Sequence, residues 1–155
     1  MKTVFVRARD VERRWYIADA DGAPLGRLAA RVASVLRGKH RPYFAPHQDL
    51  GDRVVVINAA RVAVSGNKRS DKRYYRHSGY PGALRSETFE HVIDRKPVFP
   101  VEQAIRGMLP KGRLGRELFR NVRVYAGSEH PHEGQHPQPL ELQSRERQSI
   151  ERDQS

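Results

Sequence analysis

Four consecutive β-branched residues, Val54-Val55-Val56-Ile57, constrain this chain more than any other stretch. A strand with one wet face alternates apolar and polar side chains. A strand apolar at every position is covered on both faces, as interior strands of parallel α/β sheets are. Upstream, Trp15-Tyr16-Ile17-Ala18 reads as another strand, closed by the turn residues Asp19, Asp21 and Gly22. Between the two, Leu25, Leu28, Ala29, Val32, Val35 and Leu36 repeat at helical spacing. Pro24 suits the first helical position, and Gly38 can end the helix in a left-handed turn. Strand, helical crossover, strand is a βαβ unit, so the two strands are expected to be parallel with a right-handed connection.

The rest of the chain is read around that unit. Met1 to Arg14 is expected to be an extended arm. Val62-Ala63-Val64 is expected as a short third strand. Ser86 is a candidate N-cap for a short helix carrying Phe89, Val92 and Ile93, stopped by Pro97. A longer helix begins near Pro100, with Val101, Ala104, Ile105, Met108 and Leu109 on one side, and ends at Pro110. A third short helix follows the Pro110-Lys111-Gly112 turn, and Val122 and Val124 mark a final strand. From Gly127 the periodicity dissolves, although Leu140 and Leu142 can tack the segment to the body. The reading is one domain over residues 1–142, with a polar, disordered extension over 143–155.

Charge identifies the partner class. The net charge is +11, and it is uneven. Residues 1–126 hold 26 Lys and Arg against 12 Asp and Glu, whereas residues 127–155 hold 3 against 6. Such a basic body calls for a polyanion, nucleic acid before an anionic membrane. No apolar run approaches the ~20 residues of a transmembrane helix, and MKTVFVRARD is too short and charged for a signal peptide. Cysteine is absent, which excludes disulfides and thiolate metal sites and fits a reducing cytosol.

Three clusters carry the cations. Gly66 to Gly82, GNKRSDKRYYRHSGYPG, has no aliphatic residue and sets Lys68, Arg69, Lys72, Arg73 and Arg76 among Tyr74, Tyr75, His77 and Tyr80. Cations hold phosphate, and flat rings stack on bases or lie along a ribose, so this stretch reads as an RNA-gripping loop at a sheet edge. Its bland alternative is a solvated hairpin whose tyrosines pack inward. We expect a split, with some rings inward and the cations outward. Arg27, Arg31 and Arg37 lie on the polar side of the first helix, followed by Lys39, His40 and Arg41. Lys111, Arg113, Arg116, Arg120 and Arg123 form the third cluster, with Glu117 the one acid among the four arginines.

Other chemistries find little support. His130, His132 and His136 lie among prolines and a glycine, without a HExxH pattern, and read as loop residues or further RNA contacts. Neither a GxxxxGK[ST] loop nor a GxGxxG turn occurs, and no GxSxG elbow surrounds His77-Ser78. Asp49 and Asp52 flank Gly51 and read as a turn rather than paired catalytic carboxylates. No cofactor is expected. The alternatives to a structural RNA binder are an RNA-processing enzyme on an α/β scaffold and a DNA-binding architectural protein.

The ordered motifs also resemble a known family. They are Trp15-Tyr16 with Asp19, PLGRLAARVASVLRGKH at 24–40, GDRVVVINAARVAVSGNK at 51–68 and YYRHSGYPG at 74–82. GMLPKGRLGRELFRNVRVYAG at 107–127 and EHPH at 129–132 complete the series. Together they resemble the bacterial ribosomal protein L-thirteen family of the large ribosomal subunit. Ala83 departs from the pattern, where a second glycine is common after YPG. The resemblance implies a three-layer α/β/α fold on a mostly parallel four-stranded sheet. It implies binding to large-subunit ribosomal RNA beside neighbouring ribosomal proteins, early in cytoplasmic subunit assembly, without catalysis. For some members it further implies binding to their own messenger RNA.

Overall fold

The computed structural model describes residues 5–142. The expected βαβ unit forms: β1 (Trp15–Asp19), α1 (Leu25–Arg37) and β2 (Arg53–Ile57), with β1 and β2 parallel and Tyr16 opposite Val54. Val54, Val55 and Val56 are fully buried, as an interior strand requires. Helix α1 turns Leu25, Leu28, Ala29, Val32, Ala33, Val35 and Leu36 inward. Burying each large side chain of that stripe stabilises the fold by roughly 1.5–3 kcal/mol relative to exposure. Pro24 stands one residue earlier than expected, as the N-cap in extended conformation. Gly38 ends the helix with φ of 78°, and its amide donates to the Val35 carbonyl.

The described residues form two sheets. The main one has four parallel strands in the order β5-β2-β1-β6, where β5 is Val122–Val124 and β6 is Gln138–Pro139. The α/β class and the parallel four-stranded sheet therefore agree with expectation. One strand differs. Val62 to Val64 is not the third strand, because Asn58 in the left-handed region and a 3-10 turn at Ala59–Arg61 swing the chain aside. The position beside β2 belongs to β5, and Ala63 makes only an isolated bridge to Pro24. The fourth place goes to β6, which lies in the aperiodic segment. Its register is held by the Leu140 amide donating to the Ile17 carbonyl at 2.7 Å, and Leu140 and Leu142 pack partly buried against the core.

The second sheet is a hairpin. After the single turn α2 (Lys68–Asp71), β3 (Arg73–His77) runs antiparallel to β4 (Leu84–Thr88). Ser86 lies within β4, opposite Tyr75, and so does not cap the following helix. That role falls to Thr88, whose hydroxyl accepts from the His91 amide at the start of α3 (Phe89–Arg95). Helix α4 (Val98–Met108) packs along α1, and α5 (Arg113–Phe119) leads into β5. Phe89, Leu28, Leu36, Ile105 and Leu118 fill the core on the helical side of the sheet. No described helix is long and apolar enough to cross a membrane. The extension 143–155 lies outside the described residues.

Candidate nucleic-acid interface

The hairpin sorts the aromatic residues of its first strand by strand alternation. Residues facing each other across an antiparallel ladder share a face, so Tyr74 and Glu87 share one and Tyr75 and Ser86 the other. Tyr74 turns to the body, its ring 5.6 Å from Phe99 in an edge contact and 6.5 Å from Phe89. Lys72 places its ammonium 5.5 Å from the Tyr74 ring centroid. Burial raises the Tyr74 phenol above its ordinary pKa, and its buried hydroxyl has no hydrogen-bond partner among the described residues. Tyr75 and Tyr80, by contrast, are 67% and 75% exposed. The expected split between inward and outward rings is what the fold contains.

The cations divide into engaged and disengaged sets. Arg69 meets Glu90 at 3.4 Å, and Arg113 meets Glu117 one helical turn on at the same distance. Lys68 reaches the Ser65 hydroxyl, and Arg73 the Ser86 hydroxyl at 3.4 Å. Arg37 lies over the Phe44 ring, 5.6 Å from its centroid, which draws it away from exposed Arg27 and Arg31. Arg123 folds back on the carbonyls of Arg120 and Val122. Among the described residues, Arg27, Arg31, Lys39, Arg76, Lys111, Arg116 and Arg120 enter no ion pair. Arg116 and Arg120, four residues apart at the end of α5, share a face.

His40 and Arg41 face inward. Arg41 donates from Nη2 to Oδ1 of Asp52 at 2.6 Å and from Nε to Oδ2 at 3.2 Å, and His40 Nε2 lies 2.6 Å from Oδ2. The Arg14 amide adds a bond of 2.8 Å to Oδ1, so the fully buried carboxylate is saturated. Burial alone pushes this carboxyl up. The bonds from Arg41, the Arg14 amide and His40 outweigh it and hold Asp52 below the usual range. The same bond raises Arg41 against its own desolvation. Arg41 also donates to the Glu12 carbonyl and the Tyr43 hydroxyl, and Arg13 pairs with Asp49 at 3.1 Å. The N-terminal arm is thereby clamped to the loop after α1.

Gly51 makes this possible. Its Cα lies against the last turn of α1, where any Cβ would overlap the Leu36 carbonyl oxygen. The turn expected at Asp49, Gly51 and Asp52 is thus also a buried polar hub. The signal that could have found the hub is Lys39-His40-Arg41, a cation run that begins just past the end of a helix, a few residues before Asp49 and Asp52. The EHPH histidines also have a packing role. His132 stacks on Trp15 at 5.2 Å and takes part in a 2.8 Å bond with the Tyr125 hydroxyl, while Arg53 covers Trp15.

The chain as a whole matches a known family. Residues 13–131 match the family model described as Ribosomal protein L13. A protein of Treponema pallidum (strain Nichols), named Large ribosomal subunit protein uL13, is 58% identical over 140 residues, covering 90% of this chain and 99% of its own. Relatives of the same name from Alcanivorax borkumensis and Symbiobacterium thermophilum are 56% identical over 142 residues and 55% identical over 141. They span 92% and 91% of this chain, and 100% and 99% of their own lengths. With most of its length matched by the family model and more than half of the aligned residues identical, this chain belongs to the ribosomal protein L13 family.

Proposed function

We propose that this protein is a structural constituent of the large ribosomal subunit that binds its RNA and performs no catalysis. The observation that carries this reading is the set of unpaired cations on separate elements. Arg27 and Arg31 on α1, Arg76 on the hairpin, and Lys111, Arg116 and Arg120 around α5 are held by one packed core and, among the described residues, enter no ion pair. Six to ten phosphate contacts would make affinity fall by about a thousandfold or more between 50 and 200 mM salt. Exposed Tyr75 and Tyr80 add flat surfaces for bases or riboses. A scaffold that offers cations in several places suits a role in drawing RNA segments together during early assembly, beside neighbouring ribosomal proteins in the cytoplasm. Asp52 joins the loop after α1 to the N-terminal arm, so His40 and Arg41 serve RNA binding chiefly by fixing the two together.

Sedimentation tests the reading. The protein should travel with large subunits at high magnesium and leave them only at high salt. A predominantly free pool in growing cells overturns it. Protection of the protein's own messenger from nuclease would add a regulatory partner of the same chemistry.

A further inference from the structure

The ladder of the hairpin sets Arg76 directly opposite Arg85. Side chains so placed have Cβ atoms about 4.5–5.5 Å apart, and like charges there repel. Natural hairpins commonly place opposite charges at such a pair. Here both arginines are exposed, and among the described residues neither enters an ion pair. The acid nearest to them along the same face, Glu87 opposite Tyr74, is taken by Arg95. Alternation puts the pair on the face that carries Tyr74, which is the face turned to the helical body. The opposite face carries Tyr75 and Leu84, 67% and 62% exposed.

We propose that Arg76 and Arg85 are the two jaws of a site for one RNA backbone phosphate, built into the hairpin as a deliberately unbalanced cross-strand pair. A phosphodiester between two guanidinium forks satisfies donors from both strands and converts repulsion into attraction. The ligand therefore also completes the hairpin. The inference rests on the RNA-binding reading for the source of the phosphate, and it adds Arg85, which lies outside the three cation clusters. Because the jaws share one anion, their effects must be coupled.

The test is a double-mutant cycle with Arg76→Gln, Arg85→Gln and the double variant, binding a large-subunit ribosomal RNA transcript over a salt series. A shared phosphate predicts a loss of about tenfold or more for each single variant, with little further loss in the double. The slope of log affinity against log salt should fall by about 0.7–0.9, the value for one phosphate. Additive losses with a slope change near twice that overturn the clamp, as do unchanged affinities. A second measurement removes RNA altogether. Titrating inorganic phosphate into the full chain should shift the Nε–H resonances of both arginines, and Arg85→Gln should abolish the shift at Arg76. No shift in the parent overturns the clamp even where RNA binds. A parent that binds RNA without salt dependence would overturn the wider reading, while the phosphate titration still judges the clamp.

Discussion

Arg41 holds Asp52 through two nitrogens, Nη2 to Oδ1 and Nε to Oδ2, across a carboxylate with no exposed surface. Breaking such a pair from one side leaves a buried charge unmatched, at a cost of about 3–5 kcal/mol. Asp52→Asn should lose about that much stability to chemical denaturation at pH 7. The folded carboxyl titrates below its ordinary value of 3.8, so the native state binds fewer protons there. Its contribution is therefore complete above that pH and is lost as pH falls through the folded value. The gap between parent and Asp52→Asn should accordingly narrow in acid. A gap that stays constant to pH 2 would contradict the assignment.

Two glycines give opposite outcomes. Gly51→Ala forces a methyl into the Leu36 carbonyl and should destabilise by about 1–3 kcal/mol or more. Gly26 sits in α1 with nothing near its missing Cβ and no positive φ. Gly26→Ala should therefore stabilise by roughly 0.5–1 kcal/mol, the helix-propensity difference. Thermal unfolding of both variants checks the pair.

The tyrosines separate packing from recognition. Tyr74→Phe removes a hydroxyl that has no partner among the described residues and should leave stability unchanged or slightly higher, whereas Tyr74→Ala should cost about 2 kcal/mol. Because burial raises the Tyr74 phenol above 10.0, the parent should lose stability as pH rises past that value, and Tyr74→Phe should lose less. Tyr75→Ala and Tyr80→Ala should leave stability alone and weaken RNA binding, by about 1–3 kcal/mol for each ring that stacks on a base.

Ion pairing within α5 ranks its cations. Replacing Arg116 and Arg120 by Gln together should lower the salt slope by about 1.4–1.8, corresponding to two phosphates. Arg113→Gln should change it less, because Glu117 already compensates that charge. Filter binding across a salt series distinguishes the two cases.

The unit from Trp15 to Ile57 was legible because its signals are local: a helical period, a left-handed glycine and an unbroken β-branched run. Elements held by distant partners were not. Strand β6 is two residues long and contains a proline, so it has no period to read, and only the position of Ile17 gives it a register. Strand β4 carries polar residues on a wet hairpin, where alternation conveys nothing. Val62 to Val64 has the composition of a strand, yet β5 fills the place it needed. At the interface, composition found the cations, but it could not tell Arg41, facing an acid eleven residues on, from Arg76, facing another arginine.

The outermost position of β6 has a consequence in time. Strand β1 is made well before its neighbour at Gln138–Pro139. At about 5–20 residues per second, synthesis leaves the outer edge of β1 unpaired for roughly 6–24 s. Throughout that interval a bare ladder edge is open to any extended chain nearby. The nascent protein therefore passes through a vulnerable stage that ends only when β6 docks, and Pro139, which lacks an amide proton, helps to blunt the edge that then remains.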